Sequence, residues 1–299
     1  MSRYPVETPT GAAGLEQTAP SDLGLASRPG TRSTHGAAAP VQVRGVTRVY
    51  PPVAGNPAVH ALGPIDLELA RGGFFSVIGP SGCGKSTLLD IIAGLATPSE
   101  GTALFEGRPI TGEPPEGVGV VFQEDASFPW LTVWDNVAFG LRRQRIDRQE
   151  LADRVDAALA FTGLAPFARA YPAHLSGGMR QRVCIARTMV LQPRLILLDE
   201  PFGALDQQTR LLMGDELLRL WRKTGATVVL ITHSLDEAAM LSDRVGVMSA
   251  RPGRFISFID TGWPRERTSE IASTARFGAL TAQLWSLLRA ESLKAMEPA

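Results

Sequence analysis

The segment Gly79-Pro80-Ser81-Gly82-Cys83-Gly84-Lys85-Ser86-Thr87 fits the pattern GxxxxGK(S/T), and its flanks decide how the pattern is read. Phe74 to Ile78 before it is a short apolar run of strand type, and Leu88-Leu89-Asp90-Ile91-Ile92 after it reads as a helix. Strand, glycine-rich turn and helix in that order form one unit of an α/β protein. The glycines let successive N–H groups turn towards one anion, and the helix N-terminus adds partial positive charge. The segment is therefore read as a phosphate loop. Lys85 would reach the β and γ phosphates of a nucleotide, and the Ser86 hydroxyl would coordinate Mg²⁺. Cys83 fills a free position of the pattern and reads as a small residue, without a redox role.

The same strand signal recurs at Val118 to Phe122, Leu195 to Leu198 and Thr227 to Ile231. Helical spacing joins Met179, Val183, Ala186 and Val190, and again Met213, Leu217 and Leu220. Strands alternating with helices predict a mostly parallel sheet covered on both faces. From about Glu124 to Val190 no comparable strand signal is found, so this stretch reads as a helical insertion. Past Trp263, the residues Phe277, Leu280, Leu284, Leu287 and Leu288 form one apolar stripe on a terminal helix. Residues 1 to about 40, rich in Ala, Gly, Pro, Ser and Thr, read as a disordered tail. A transit peptide fits less well, because Glu7, Glu16 and Asp22 spoil its acid-poor composition.

Composition narrows the function. Thirty basic and thirty acidic side chains cancel in 299 residues, which gives no footprint for nucleic acid. Two cysteines, Cys83 and Cys184, are too few for a disulfide framework and lack zinc-ligand spacing. No apolar run approaches the ~20 residues of a membrane span, and no secretory signal opens the chain. A cytoplasmic protein is expected.

Leu195 to Leu198 ends in Asp199 and Glu200, and alternation would point the two carboxylates to different sides of the strand. Asp199 is suited to hold Mg²⁺ through its water shell, and Glu200 to polarise the water that attacks a γ-phosphate. Leu175-Ser176-Gly177-Gly178-Met179-Arg180-Gln181-Arg182 then resembles the signature sequence of the ATP-binding cassette (ABC) ATPases. Ser176 and the amides of Gly177 and Gly178 begin a helix and can approach an anion.

The resemblance covers about Val41 to Asp260 and extends to weaker elements in the family's order. Tyr50 matches the aromatic that stacks on adenine. Gln123 matches the Q-loop glutamine, Ala204-Leu205-Asp206 the D-loop and His233 the switch histidine. The resemblance implies a P-loop NTPase fold over 41–262, with a RecA-like core at about 41–123 and 191–262. A helical subdomain at about 124–190 is inserted in it, and a helical extension follows at 263–299. It implies ATP and Mg²⁺ as cofactors, with Gln123 contacting both the γ-phosphate and the metal. It also implies a second copy paired head to tail, so that Ser176 to Gly178 of one copy close over the nucleotide on the phosphate loop of the other, with Asp206 of the D-loop among the nucleotide-binding residues. One departure stands out: the switch histidine is usually followed by aspartate, and here Ser234 follows. Ser234 and Glu237 still form an S-x-x-E capping box.

With no span in this chain, the membrane pore would be a separate permease, as in bacterial uptake systems served by a periplasmic or lipoprotein substrate-binding protein. The chain would then work at the cytoplasmic face of the inner membrane. Phe128-Pro129-Trp130-Leu131-Thr132-Val133-Trp134-Asp135-Asn136-Val137 and Met248-Ser249-Ala250-Arg251-Pro252-Gly253-Arg254 resemble the nitrate, sulfonate and taurine importer subgroup. Trp130 and Trp134 either offer a groove to a partner helix or fill the core of the helical insertion. Lipid-transport or efflux ATPases and soluble cassette ATPases are the alternatives.

Overall fold

The computed structural model describes residues 39–52, 57–123, 126–203 and 205–296. All but the last two residues of the expected tail lie outside the described residues, as does Ala204. In chain order the strands are β1 (Val41–Tyr50), β2 (Val59–Leu69), β3 (Phe74–Ile78), β4 (Glu100–Phe105), β5 (Arg108–Pro109), β6 (Val118–Val121), β7 (Leu195–Asp199), β8 (Thr227–Ile231), β9 (Arg244–Met248) and β10 (Phe255–Asp260). The helices are α1 (Lys85–Ala93), α2 (Val133–Leu141), α3 (Arg148–Phe161), α4 (Gly177–Met189), α5 (Gln207–Thr224), α6 (Leu235–Leu241) and α7 (Ala275–Met296).

A six-stranded sheet runs in the order β10-β9-β3-β8-β7-β6. Its neighbours pair in parallel except β10, which lies antiparallel to β9. Strands β3, β7 and β8 are buried along their whole length, which is why they read as unbroken apolar runs. Period-two geometry divides them between two cores. Phe74, Ile78, Ile196, Leu198, Val228 and Leu230 face a core shared with α4, α5, α6 and α7. Phe75, Val77, Leu195, Leu197, Val229 and Ile231 face the other, shared with α1, β1, β2 and β4. Each fully buried Leu, Ile, Val or Phe contributes roughly 1.5–3 kcal/mol over the exposed state, so these two layers dominate the stabilisation.

A second sheet, β2-β1-β4-β5, is antiparallel throughout and caps the α1 side. The hairpin from β4 to β5 turns on Glu106 and Gly107, both at positive φ, the backbone pattern of the tightest hairpin turns. Helices α2, α3 and α4 enclose a third core around Val133, Val137, Leu141, Val155, Leu159, Val183 and Ala186. Helix α4 serves two cores, since its Cys184, Ile185 and Met189 face the sheet. Helix α7 buries Phe277, Leu280 and Leu284 against the sheet-side helices, with Leu287 partly buried beside them.

Candidate functional site

In an open parallel sheet the crevice beyond the carboxyl ends of the strands gathers the loops that bind ligands. Here β3 delivers the Gly79–Thr87 segment, β6 delivers Gln123, β7 delivers Asp199 and Glu200, and β8 delivers His233. Four strand ends thus converge on one edge.

The Gly79–Thr87 turn depends on glycine at two points. Gly82 and Gly84 have φ of 72° and 105°, and a Cβ on Gly84 would stand 2.7 Å from the Ala61 carbonyl oxygen. The buried Lys85 curls back into the turn, its Nζ donating to the carbonyls of Gly79 and Pro80 at 2.9 Å each. Pro80 is buried and its carbonyl accepts the Cys83 N–H at 3.3 Å, Ser81 is exposed on the turn, and Thr87 lies in the first turn of α1. Burial pushes the Cys83 thiol above its ordinary range, although Lys85 beside it pulls the other way.

Asp199 is buried at the end of β7, and its Oδ1 has no hydrogen-bond partner. Burial raises its pKa, with the neighbouring Ser86 hydroxyl pulling the other way. Glu200 does not simply take the alternate face of the strand. Its backbone is left-handed, with φ of 46°, a conformation costing about 1–3 kcal/mol in a non-glycine residue. The turn is anchored by the Glu200 N–H on the Ile231 carbonyl at 2.9 Å. It carries Glu200 Oε2 to the Gln123 side-chain amide at 3.0 Å and to His233 Nδ1 at 3.1 Å. Gln123, Glu200 and His233 therefore form one hydrogen-bonded group.

Tyr50, at the end of β1, brings its hydroxyl to 3.5 Å from Thr87 Oγ1, and the Arg48 guanidinium lies 4.6 Å from its ring centroid. Ser176 caps α4, its Oγ accepting the Met179 N–H at 3.3 Å, and both Ser176 and Gly177 are exposed. Gly178 packs on Leu205, where a Cβ would meet Leu205 Cδ2 at 2.6 Å. Asp206 caps α5 by accepting the Thr209 N–H at 3.0 Å and its hydroxyl at 2.6 Å, which hold the carboxyl below its usual range. Among the described residues no hydrogen bond or ion pair joins Ser176, Gly177, Gly178 or Asp206 to the Gly79–Thr87 turn. The capping box forms only by half. Ser234 Oγ accepts the Glu237 N–H at 3.3 Å, but the Glu237 carboxylate takes the Thr232 hydroxyl at 2.6 Å and Arg210 at 3.3 Å. The Ser234 N–H goes to Thr232 Oγ1 instead.

Gln181, seen in the sequence only as part of the signature segment, and Arg187 and Thr188, which the sequence did not single out, tie α4 to the backbone around Gln123. Gln181 donates to the Phe122 carbonyl at 3.2 Å, Thr188 to Val120 at 3.1 Å and Arg187 to Ala126 at 2.8 Å. Their acceptors lie about sixty residues away in sequence, so local pattern carries no trace of them.

The residues present fit a nucleotide with its cation. Among the described residues the first-turn N–H groups of Lys85, Ser86 and Thr87 find no acceptor outside their helix, and Gly82 and Gly84 set the turn at positive φ. Asp199 supplies a buried, unpartnered oxygen beside the Ser86 hydroxyl, a donor set suited to Mg²⁺.

A family model described as ABC transporter matches residues 62–203. An ABC transporter ATP-binding protein of Methanocaldococcus jannaschii is 45% identical over 259 residues, which are 86% of this chain and 94% of the relative. The nitrate import ATP-binding protein NrtD of Synechocystis is 40% identical over 263 residues, 86% of this chain and 98% of that one. The taurine import ATP-binding protein TauB of Pelagibacter ubique is 47% identical over 196 residues, 66% of this chain and 74% of its own length. Among solved structures, the dimeric ATP-binding cassette MJ0796 bound to ADP and Pi superposes with a TM-score of 0.68 at 31% identity, covering 75% of this chain and all of that one. The phosphate-loop crevice and these relationships lead to one conclusion: the chain belongs to the ATP-binding proteins of ABC transporters and is an ATPase of that class.

Proposed function

We propose that this chain is the ATP-hydrolysing subunit of an importer for a small anion such as nitrate, a sulfonate or taurine. The observation that carries the ATPase half is the convergence of Lys85, Asp199, Gln123, Glu200 and His233 on one crevice. Lys85 leaves the loop carbonyls to bind the β and γ phosphates. Asp199 and Ser86 hold Mg²⁺, with Gln123 near it; the ion, when bound, neutralises phosphate charge. The Glu200 carboxylate, oriented by Gln123 and His233, takes the proton of the attacking water. Tyr50 stacks on the base. Catalysis then rests on positioning and charge stabilisation.

Ser176, Gly177 and Asp206 stand exposed, Gly178 is half-buried against Leu205, and among the described residues none of the four is bonded to its own phosphate loop. In this reading they close the site of a second copy paired head to tail. The RecA-like part, about 41–123 and 191–262, holds nucleotide, while the helical subdomain, about 124–190, meets a permease and 263–299 forms an extension. The helical side has the surface for it. Trp130 is 71% exposed and stacks on Phe128 with centroids 5.6 Å apart, whereas Trp134 is half-buried and donates to Asp156 at 2.9 Å. Trp130 is thus the anchor offered to a partner, and Trp134 belongs partly to the subdomain's own packing. Between α3, α4 and α5 lies a cavity of about 330 Å³ with Ala158, Phe161 and Met189 in its wall, and with Asp147, Asp153 and the Glu150–Arg154 ion pair beside them, a setting for the apolar face of a permease helix.

No helix among the described residues is long and apolar enough to cross a membrane, so attachment at the cytoplasmic face of the inner membrane would run through the permease. A periplasmic or lipoprotein binding protein would choose the cargo. Two readouts test the proposal. Trp130→Ala should weaken co-purification with the permease by tenfold or so while ATP binding persists. Loss of the gene should abolish growth on nitrate or on taurine and alkanesulfonates as sole nitrogen or sulfur source. Unimpaired uptake of all of them would refute the cargo, and lipid-asymmetry or efflux defects would favour an exporting system.

A further inference from the structure

The Met248–Arg254 segment has no part in the reaction above, yet it lies directly on the phosphate loop. Ser249 closes it into a turn: its N–H donates to the Arg254 carbonyl at 2.9 Å, and its Oγ accepts the Arg254 N–H at 3.1 Å. Gly253 exchanges bonds with β2, donating to the Ala61 carbonyl and accepting the Gly63 N–H, both at 3.0 Å. The other side of Gly253 faces the phosphate loop, where a Cβ would stand 2.0 Å from the Cys83 carbonyl oxygen. A Cβ on Gly79 would meet Met248 Cβ at 3.1 Å, and one on Gly82 would meet Arg251 Nη2 at 3.7 Å. Gly84, as noted, rests on Ala61. Gly82, Cys83 and Gly84 are thus bounded by this turn or by the β2 strand to which it is hydrogen-bonded, and Gly79 by Met248 at the end of β9, from which the turn departs.

A buried carboxylate on the C-terminal helix holds the turn from behind. Glu291, on α7, accepts the Ala250 N–H at 3.0 Å with Oε2 and Lys294 Nζ at 2.6 Å with Oε1. These two bonds, Lys294 foremost, keep its carboxyl below the usual range. Burying a charge is costly unless it is bonded, and here one of its two bonds goes to a backbone amide forty-one residues away.

We propose that Glu291 is a positioning residue of the nucleotide site: it fixes the Ser249–Arg254 turn, the turn braces the phosphate loop, and the C-terminal helix thereby sets the affinity for ATP. This rests on the reading that Gly79 to Thr87 holds the nucleotide phosphates. Contact between the turn and the loop is steric, so slackening it lets the loop depart from the curvature that aims its N–H groups at one anion.

The test uses the full chain as wild type, Glu291→Ala, Glu291→Gln and Lys85→Ala. Glu291→Ala should raise KM and Kd for MgATP roughly five- to tenfold, the loss of a bond to a charged acceptor partly transmitted to the loop. Its kcat should stay within about twofold and its Tm within about 3 °C of wild type. Glu291→Gln keeps an acceptor for the Ala250 N–H and should restore KM to near the wild-type value. Independently of activity, alkylation mapped by peptide mass should modify Cys83 faster in Glu291→Ala, with Cys184 unchanged as an internal control for global opening. Wild-type KM and Cys83 labelling in Glu291→Ala would overturn the inference, as would equal acceleration at both cysteines with a large fall in Tm. Tight MgATP binding by Lys85→Ala would instead overturn the reading of the loop on which the inference rests.

Discussion

Asp199 combines burial, an unpartnered Oδ1 and a raised pKa, and so costs the protein stability, a cost that the proposed function assigns to holding a cation. The sign follows from linkage. With the folded pKa above that of the unfolded chain, the ionised side chain destabilises the fold above the folded pKa and costs nothing below the unfolded one. Asp199→Asn should therefore raise the Tm of the nucleotide-free chain at neutral pH. That gain should shrink as the pH falls into the ordinary carboxylate range, and the variant should lose the stabilisation that MgATP gives wild type; thermal melts at several pH values with and without MgATP check it. The identity of Asp199 and Glu200 was legible from an apolar strand ending in two acids. The left-handed backbone of Glu200 was not, because it depends on Ile231 of the neighbouring strand, and alternation along the strand gives only an approximate direction. The capping box shows the same limit. Ser234 caps as expected, but Thr232 and Arg210 draw the Glu237 side chain away from the helix start.

Strands β3, β7 and β8 were legible as unbroken apolar runs, and helices α1, α4 and α5 as apolar residues at helical spacing. The antiparallel sheet was not. Strands β1 and β2 interleave Arg, His, Glu and Gly with apolar residues, β1 is interrupted by register shifts near Gly45, and its pairing with β4 spans some sixty residues. The terminal stripe from Phe277 to Leu288 did appear in the sequence, and it docks α7 on the sheet-side core. Leu284 is fully buried there. Leu284→Ala should cost about 2–5 kcal/mol in denaturant unfolding, through lost transfer energy and the cavity left behind. A cost below about 0.5 kcal/mol, the range of exposed positions, would mean that α7 is not part of the cooperative unit.

Taken as a whole, the molecule sets a chemical edge, built from four strand ends, beside a helical face that is bonded to it through α4. Gln181, Arg187 and Thr188 link the helix opened by Ser176 to the backbone on both sides of Gln123, so a movement of either is felt by the other. Residue order along the chain identified both ends of this link, while its middle depended on contacts that only the fold brings together. The assignment of chemistry to the edge turns on Glu200, which is held by Gln123 and His233 and is the only acid in that group. The most direct measurement is MgATP binding and phosphate release in one preparation of Glu200→Gln. Binding within a few-fold of wild type, phosphate release slowed by about a hundredfold or more, and an ATP-dependent dimer on size exclusion are the predicted results. Phosphate release at the wild-type rate would contradict the assignment of Glu200 as the base.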